Sequence, residues 1–198
     1  GCTFHCGYCR NWEVACTRSA PADSTLPSPA AFVRQVARQE CEGVAWTFSE
    51  PTLWYEVVSQ YTEQCTDANY YTLLLTNGAA TRSIYEQLTS SGVGVWKIDL
   101  KGFSQDAYKT LTGFSDWRAV LDNIEWLRSS GGHVELSYCP IPGLCDSEDE
   151  VRALGEWVVS ALGEDTPLHL FAFFPAFQMK ERPFTDFAVL SRLRQLLL

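Results

Sequence analysis

The first residues of the chain, GCTFHCGYCRNW, place the thiols of Cys2, Cys6 and Cys9 within nine positions. The spacing is C-x₃-C-x₂-C, and no fourth cysteine follows at the next turn. Thiolates this close in a short loop converge on one metal centre or cluster. A centre with only three protein ligands keeps one coordination position open for another molecule. The spacing therefore predicts a metal or iron–sulfur site at which chemistry takes place.

The same stretch also fits a zinc-binding or electron-transfer module without catalysis. In that case His5 or Cys16 would supply the fourth ligand of a tetrahedral zinc site. Joint ligation by the adjacent residues His5 and Cys6 is awkward. A structural zinc site also has no need of the polar residues that follow each predicted strand, so the sequence favours an open cluster.

The chain contains eight cysteines, and an even count is compatible with disulfides. Disulfide frameworks are typical of short secreted chains, whereas this one has 198 residues, of which 46% are hydrophobic. We interpret Cys16, Cys41 and Cys65 as ordinary core or surface residues. Cys139 and Cys145 flank PIPGL after a predicted strand, where a thiol can act as a hydrogen donor or an auxiliary ligand, so their role stays open.

Composition limits the class of partner. The net charge is -9 and the isoelectric point is about 4.8, which argues against binding to nucleic acid or to an anionic membrane surface. No apolar run reaches the roughly 18 residues of a membrane span, and no signal-peptide pattern is present. We therefore expect a soluble, cytoplasmic protein in a reducing compartment, with a protein or small molecule as substrate.

The elements that must position the cysteines alternate between strand and helix patterns. Apolar runs that end in turn residues predict five strands, beginning near Gly43, Tyr70, Val93, His133 and Pro167. Helices are expected from Ser28-Pro29 onward and over 52–65, 81–91, 115–129, 146–161 and 185–198, with Asp146 and Thr185 as N-caps. The stretch SAPADSTLPSP before the first helix is expected to be a loop.

This alternation predicts an α/β fold, a partial (βα)₆ TIM-type barrel of parallel strands. The first strand is expected upstream of Gly1. Residues 1–198 are interpreted as one domain that lacks an N-terminal segment, because the chain begins without Met and has a predicted ligand at its second residue.

Polar residues fall at the carboxyl ends of the predicted strands, where barrel enzymes assemble their sites. They include Ser49-Glu50-Pro51, Thr76-Asn77, Asp99, Lys101 and His169. Each has an ordinary alternative: a helix-start carboxylate for Glu50, a turn for Asn77-Gly78, a solvated charge for Lys101 and a core residue for His169. The period of two in KIDLK puts Lys97, Asp99 and Lys101 on one face of a strand, with Ile98 and Leu100 on the other.

The motif of Cys2, Cys6, Tyr8 and Cys9 resembles the signature of radical SAM enzymes. Six blocks in order resemble a narrower group, the Memo-associated (AmmeMemoRadiSam) radical SAM proteins, relatives of the pyruvate formate-lyase activating enzymes. These blocks are GYCRNWE, AWTFSEPTLWYE, LLTNG, KIDLKGF, HVELSYCPIPGLCDS and TPLHLFAFFPAFQM. The resemblance extends over the whole chain.

The resemblance implies that Cys2, Cys6 and Cys9 hold a 4Fe-4S cluster whose fourth iron binds S-adenosylmethionine. A low-potential electron donor then drives cleavage to methionine and a 5'-deoxyadenosyl radical, which abstracts hydrogen from a substrate. Activating enzymes act on a glycine of a partner protein. Whether this chain acts on such a protein or on a small molecule stays open at this point.

The resemblance also assigns cofactor contacts by position. Tyr8 flanks the adenine, and Ser49, Glu50 and Pro51 take the place of a Gly-Gly-Glu-Pro element whose backbone binds the methionine ammonium. Thr76 and Asn77 belong to the T-N-G element that follows the next strand. Asp99 and Lys101 match a D-x-K element whose lysine pairs with the methionine carboxylate. His169 matches a histidine of the last strand that approaches the cofactor.

This chain departs from the relatives at three places. Phe48 and Ser49 replace the two glycines of the Gly-Gly-Glu-Pro element. Leu75 stands where the activating enzymes have an acidic residue that helps to bind a cation, so a cation site is not expected here. Ala172 stands where the narrower group commonly has an arginine, so no substrate-facing charge is expected there.

Overall fold

The computed structural model describes residues 1–16 and 25–198, and most of the predicted loop SAPADSTLPSP lies outside the described residues. Its centre is a five-stranded parallel sheet in which the strands follow one another in chain order. The strands are β1 (Gly43–Trp46), β2 (Tyr71–Thr76), β3 (Val95–Leu100), β4 (His133–Tyr138) and β5 (Leu168–Leu170). The sheet is not closed, so the predicted α/β class and partial barrel are confirmed. The expected strand upstream of Gly1 stays a prediction.

Helices connect each strand to the next, as the alternating pattern predicts, and other helices precede β1 and follow β5. They are α1 (Trp12–Ala15), α2 (Pro29–Arg38), α3 (Tyr55–Asp67), α4 (Arg82–Ser90), α5 (Gln105–Thr112), α6 (Trp117–Ser129), α7 (Glu148–Trp157) and α8 (Phe187–Gln195). Short 3₁₀ segments cover Pro51–Trp54 and Phe177–Met179, and a π-helical turn, Val158–Leu162, follows α7. None of the helices in the described part of the chain has the length and apolar character that a membrane span requires.

Two predicted N-caps are wrong by one residue. Helix α7 is capped by Ser147, and α8 by Asp186. Asp146 instead accepts a hydrogen bond from the Gly143 backbone N–H at 2.8 Å. Thr185 is buried, where its hydroxyl accepts from the Phe173 N–H at 2.8 Å and donates to the Pro140 carbonyl at 2.9 Å. Both side chains are therefore used by the loops that precede the helices. The predicted cap of α2, Ser28, is confirmed.

The two faces of the sheet differ in polarity. In β3 the side chains of Trp96, Ile98 and Leu100 are buried and belong to the main hydrophobic core between sheet and helices. Full burial of each such apolar side chain contributes about 1.5 to 3 kcal/mol. Lys97 and Asp99, with Lys101 just beyond the strand, are half-buried and alternate with these residues. The predicted division of KIDLK between two faces is confirmed.

Strand register brings polar side chains of neighbouring strands together on the second face. Lys97 of β3 is paired with Glu135 of β4, and Asp99 is paired with Ser137, which in turn is paired with His169 of β5. Because all strands are parallel, their carboxyl ends lie at one edge of the sheet. This edge is where the cysteine loop is placed.

Candidate active site

A cavity of about 430 Å³ opens at the carboxyl ends of the strands. All three residues of the cysteine motif, Cys2, Cys6 and Cys9, line it. Of the predicted cofactor contacts, its wall includes Tyr8, Ser49, Thr76, Asn77, Asp99 and Lys101. The structure thus brings most of the predicted site residues to one space.

Backbone hydrogen bonds fix the cysteine loop on both sides. The Gly1 carbonyl accepts from the Glu50 N–H at 3.1 Å, and the His5 N–H donates to the carbonyl of Thr112, the last residue of α5, at 3.0 Å. The Gly7 carbonyl accepts from the Gln178 N–H at 2.9 Å. Phe4 is buried and packs against Tyr108 and Phe114, with ring centroids 6.2 and 5.1 Å away. The fold, rather than local sequence alone, therefore holds the loop over the cavity.

The placement of the three thiols bears on whether the loop could hold a cluster or a single metal ion. Within residues 1–16 and 25–198, no three His, Cys, Asp or Glu side chains are placed to hold one metal ion. Each thiolate of an iron–sulfur cube binds a different iron, so the cysteines need to face a common space and need not meet at one point. His5 and Cys16 are exposed and lie outside the cavity wall, so the geometry gives the zinc hypothesis no support.

Burial affects the thiols themselves. It raises the pKa of Cys2 above its ordinary value and raises the pKa of Cys6 to about 11. Metal ligation requires the thiolate form of cysteine, so any metal centre bound by these thiols would release their protons on binding.

Asp99 and Lys101 form an ion pair at the end of β3. The Lys101 Nζ lies 3.1 Å from Asp99 Oδ2, and the Ser137 hydroxyl donates to Asp99 Oδ1. Burial alone would raise the pKa of Asp99, but the charge of Lys101 and these hydrogen bonds lower it below its ordinary value. Burial likewise opposes the charge of Lys101, but Asp99 keeps the pKa of the lysine well above its ordinary value. Both groups are therefore charged, and the ammonium also lies 6.0 Å from the centre of the Tyr8 ring.

Glu50 lies outside the cavity wall, and its side chain is 0% exposed. Its carboxylate accepts from Thr52 N–H at 3.2 Å and Oγ1 at 2.8 Å, from Thr76 Oγ1 at 2.7 Å and from Asn77 N–H at 2.8 Å. Burial raises the pKa of this carboxyl. Glu50 caps the 3₁₀ segment and links it to the end of β2. This is the role of a helix-start carboxylate, the ordinary alternative given for Glu50 in the sequence analysis. Pro51 is also buried and is also absent from the cavity wall.

Asn77 is buried between the end of β2 and the cysteine loop, with 5% of its surface exposed. Its Oδ1 accepts from the Ala79 N–H at 3.0 Å, and its Nδ2 donates to Thr3 Oγ1 at 2.8 Å. The same Nδ2 lies 3.8 Å from Cys2 Sγ. The alternative role of Asn77-Gly78 as a plain turn accounts for the first contact but not for the other two.

His169 lies on the same face of the sheet but outside the cavity wall. Its Nε2 is 2.9 Å from Glu135 Oε2, which also lies 3.4 Å from Lys97 Nζ. His133 Nε2 contacts the other oxygen of Glu135 at 3.2 Å. Hydrogen bonds from His133 and His169, together with Lys97, lower the pKa of Glu135. The sequence analysis missed this group, although Glu135 follows His133 by two residues on one predicted strand face.

The two later cysteines differ in their surroundings. Cys139 lines the cavity, whereas Cys145 is buried, with its sulfur 3.3 Å from the Ile141 N–H and 3.4 Å from the Cys139 carbonyl. Burial raises the pKa of Cys139 to about 11 and that of Cys145 to about 12. Cys145 therefore supports the PIPGL turn, and the suggested roles of Cys139 stay predictions.

Aromatic side chains form the mouth of the cavity, which the sequence analysis did not predict. Phe48, Phe171 and Phe174 line the cavity and are 64%, 50% and 58% exposed. Phe48 and Ser49 have φ values of 66° and 58°, a left-handed conformation that favours glycine. The ring of Phe48 is therefore held at the mouth at the expense of backbone strain.

The sequence model of one protein family, the radical SAM superfamily, matches residues 1–157. An uncharacterized protein of Methanocaldococcus jannaschii is 28% identical over 99% of this chain and 57% of its own length. Pyruvate formate-lyase 1-activating enzyme of Escherichia coli K12 is 25% identical over 79% of this chain and 65% of its own length. The chain thus spans about three fifths of the length of these curated relatives.

Solved structures agree in fold. A radical SAM methyltransferase from Sphaerobacter thermophilus superposes with a TM-score of 0.74 over 100% of this chain and 60% of its own, at 17% identity. A domain of pyruvate-formate lyase-activating enzyme from Bacteroides vulgatus gives 0.68 over 79% of this chain and 93% of its own, also at 17% identity. Both similarities support the partial barrel.

Proposed function

The chain belongs to the radical SAM superfamily, whose members use a 4Fe-4S cluster and S-adenosylmethionine, and from this premise we propose that Cys2, Cys6 and Cys9 are its cluster ligands. The single observation that carries the proposal is that all three thiols line the same cavity as the polar carboxyl ends of β2 and β3. When bound, cluster and cofactor together supply a 5'-deoxyadenosyl radical that abstracts hydrogen from a substrate. The chain itself binds, orients and shields these groups.

Residues around the cysteines have separate tasks in this proposal. The charged Lys101 ammonium would donate a hydrogen bond to the carboxylate of the bound cofactor, either in place of its bond to Asp99 or in addition to it. Tyr8, which lies on the cavity wall beside Lys101, provides an apolar face for the adenine. Ser49 lines the cavity, and its backbone is the part that would accept hydrogen bonds from the methionine ammonium. Thr76 is part of the wall and bonds to Glu50, which supports the wall with Pro51 from outside the cavity, and His169 acts through Glu135 rather than at the cofactor.

A polypeptide is the substrate class that we propose, by analogy with the activating enzyme of Escherichia coli. The support from this chain is the open sheet and the exposed phenylalanines at the cavity mouth, because apolar side chains that face water are typical of binding surfaces. A low-potential electron donor completes the reaction.

Anaerobic reconstitution with iron and sulfide tests the proposal directly. We expect about four irons per chain by the stoichiometry of the cluster, broad visible absorption that dithionite bleaches, and formation of 5'-deoxyadenosine and methionine with reductant. Replacement of Cys2, Cys6 or Cys9 by Ala leaves an iron without its protein ligand and should abolish both cluster and cleavage. The matched controls Cys16→Ala and Cys41→Ala change exposed thiols and should retain both. Full iron content in Cys6→Ala, or a colourless protein that holds zinc, would refute the assignment.

A further inference from the structure

The side chain of Asn77 has a fixed orientation. An amide can be rotated so that its oxygen and nitrogen exchange places, but here the oxygen accepts from the Ala79 N–H at 3.0 Å. The nitrogen must therefore face the cysteine loop. One of its hydrogens bonds to Thr3 Oγ1 at 2.8 Å, and the other is left to point toward Cys2 Sγ at 3.8 Å.

Glu50 fixes the backbone of the same residue. Its Oε2 accepts from the Asn77 N–H at 2.8 Å, and its Oε1 accepts from the Thr76 hydroxyl at 2.7 Å. The Glu50 N–H in turn donates to the Gly1 carbonyl at 3.1 Å, next to Cys2. The end of β2 and the start of the cysteine loop are thus held against one buried residue. With the backbone fixed, the Asn77 amide cannot turn away from Cys2 without losing its bonds to Ala79 and Thr3.

We propose that Asn77 is a positioning residue whose amide N–H bonds to the Cys2 thiolate and raises the reduction potential of the cluster. This inference rests on the proposed function, because it requires that Cys2 is a cluster ligand. Reduction adds negative charge to the cluster and its sulfur ligands, and a hydrogen-bond donor stabilises the more negative state. The effect is strengthened by burial, since Asn77 is only 5% exposed and water screens it little.

Hydrogen bonds of this kind are a known means by which proteins set cluster potentials. In this chain the donor is a side chain, so it can be removed without a change in the backbone. The consequence is a cluster that accepts an electron from its donor more readily than it would without Asn77.

The test is the midpoint potential of the reconstituted cluster, measured by an anaerobic redox titration followed by electron paramagnetic resonance. Asn77→Asp keeps an oxygen for the Ala79 N–H but loses both donor hydrogens. Asn77→Ser keeps a hydroxyl that can accept from the same N–H, carries no charge and is too short to reach Cys2. In both variants we expect a more negative midpoint, by about 59 mV if the equilibrium shifts tenfold toward the oxidised cluster.

Thr3→Val is the matched control, because it removes the partner of the 2.8 Å bond and leaves the contact between Nδ2 and Cys2. Its midpoint should equal that of the wild type. An equal shift in Thr3→Val would show that only the support of the loop matters and would overturn the inference. So would an unchanged midpoint in Asn77→Ser with full iron content, since a shift in Asn77→Asp alone would then be due to its charge. A wild-type chain that binds no cluster would instead refute the proposed function.

Discussion

Lys101 is the residue whose contacts bear most directly on the proposed binding of the cofactor. Its ammonium is largely buried and is paired with Asp99 at 3.1 Å, so the charge is already accommodated before any cofactor binds. A buried lysine without a partner would be costly, and the pair explains how the charge is kept at the cavity wall. The ammonium has three donor hydrogens, so in the proposed complex it can donate to Asp99 and to the cofactor carboxylate at the same time.

We predict that Lys101→Met weakens binding of S-adenosylmethionine and leaves the cluster intact. Loss of one charge-assisted hydrogen bond of about 1.5 to 3 kcal/mol corresponds to roughly ten- to a hundredfold weaker binding. The measurement is anaerobic equilibrium binding to the reconstituted protein, with iron content determined on the same sample. Lys109→Met, on the outer helix α5, is the control and should bind normally. Unchanged affinity in Lys101→Met would show that the lysine does not face the cofactor.

Backbone strain at Phe48 leads to a second prediction at this scale. A left-handed conformation is unfavourable for a residue with a Cβ atom by about 1 kcal/mol or more. Phe48→Ala removes the exposed ring but keeps the Cβ, whereas Phe48→Gly also removes the strain. We expect Phe48→Gly to be more stable than Phe48→Ala by about 0.5 to 1 kcal/mol in denaturant unfolding of the metal-free protein. Equal stabilities would mean that the strain at φ 66° is relieved elsewhere.

Among the elements, helix α5 helps to position the cysteine loop. Ser104 caps its start, and Gly113 ends it with a φ of 76°. The carbonyl of its last residue, Thr112, accepts from the His5 N–H, and its Tyr108 ring packs on Phe4. The position of the loop therefore depends on where this helix stops.

Gly113→Ala should destabilise the chain by about 1 kcal/mol, because a Cβ is unfavourable at this φ even though the space around it is open. Gly94→Ala is the matched control, since it too has open space but no positive φ, and it should be nearly neutral. Both are measured by thermal unfolding of the metal-free protein. Equal effects of the two substitutions would contradict this account of the helix end.

The strands could be predicted from sequence because each is an apolar run bounded by turn residues, and all five form where expected. Helix α5 was missed, although Ser104 and Gly113 are ordinary start and stop signals. The cap positions at Asp146 and Thr185 were wrong because other hydrogen bonds use those side chains, a bond to Gly143 in the same turn for Asp146 and a bond to the more distant Phe173 for Thr185. Sequence pattern records local preference, and it cannot show which polar groups distant loops will require.

The candidate site was predictable to the extent that it depends on strand register. Period-two alternation was enough to place Lys97, Asp99 and Lys101 on the cavity side. Glu50 and His169 also lie at strand ends, but whether such a side chain faces the cavity or a neighbouring strand depends on packing. The exposed ring of Phe48 could not be inferred, since its position results from an unusual backbone conformation.

At the scale of the whole molecule, Glu135 joins three strands on the polar face of the sheet. It contacts Lys97 of β3 at 3.4 Å, His133 at the start of its own strand at 3.2 Å and His169 of β5 at 2.9 Å. Strand β5 has only three residues and forms one edge of the sheet, so it makes few ladder bonds of its own. The contact with Glu135 is therefore part of what keeps the last strand in place.

This role predicts a pH dependence of stability. The folded protein lowers the pKa of Glu135 below its ordinary 4.5, through hydrogen bonds from His133 and His169 and the charge of Lys97. A carboxyl with a lowered pKa stabilises the fold above its unfolded pKa, and this stabilisation is lost as the pH falls through the folded value. In Glu135→Gln the free energy of unfolding should therefore be lower than in the wild type at pH 7, and the difference should shrink below about pH 4 as the wild-type carboxyl is protonated.

Glu148→Gln is the control, because its ion pair with Arg192 is exposed and should contribute little at any pH. Denaturant unfolding of the metal-free proteins at several pH values measures both, and a constant difference between Glu135→Gln and wild type from pH 7 to pH 3 would show that the ionised carboxylate does not hold the strands together.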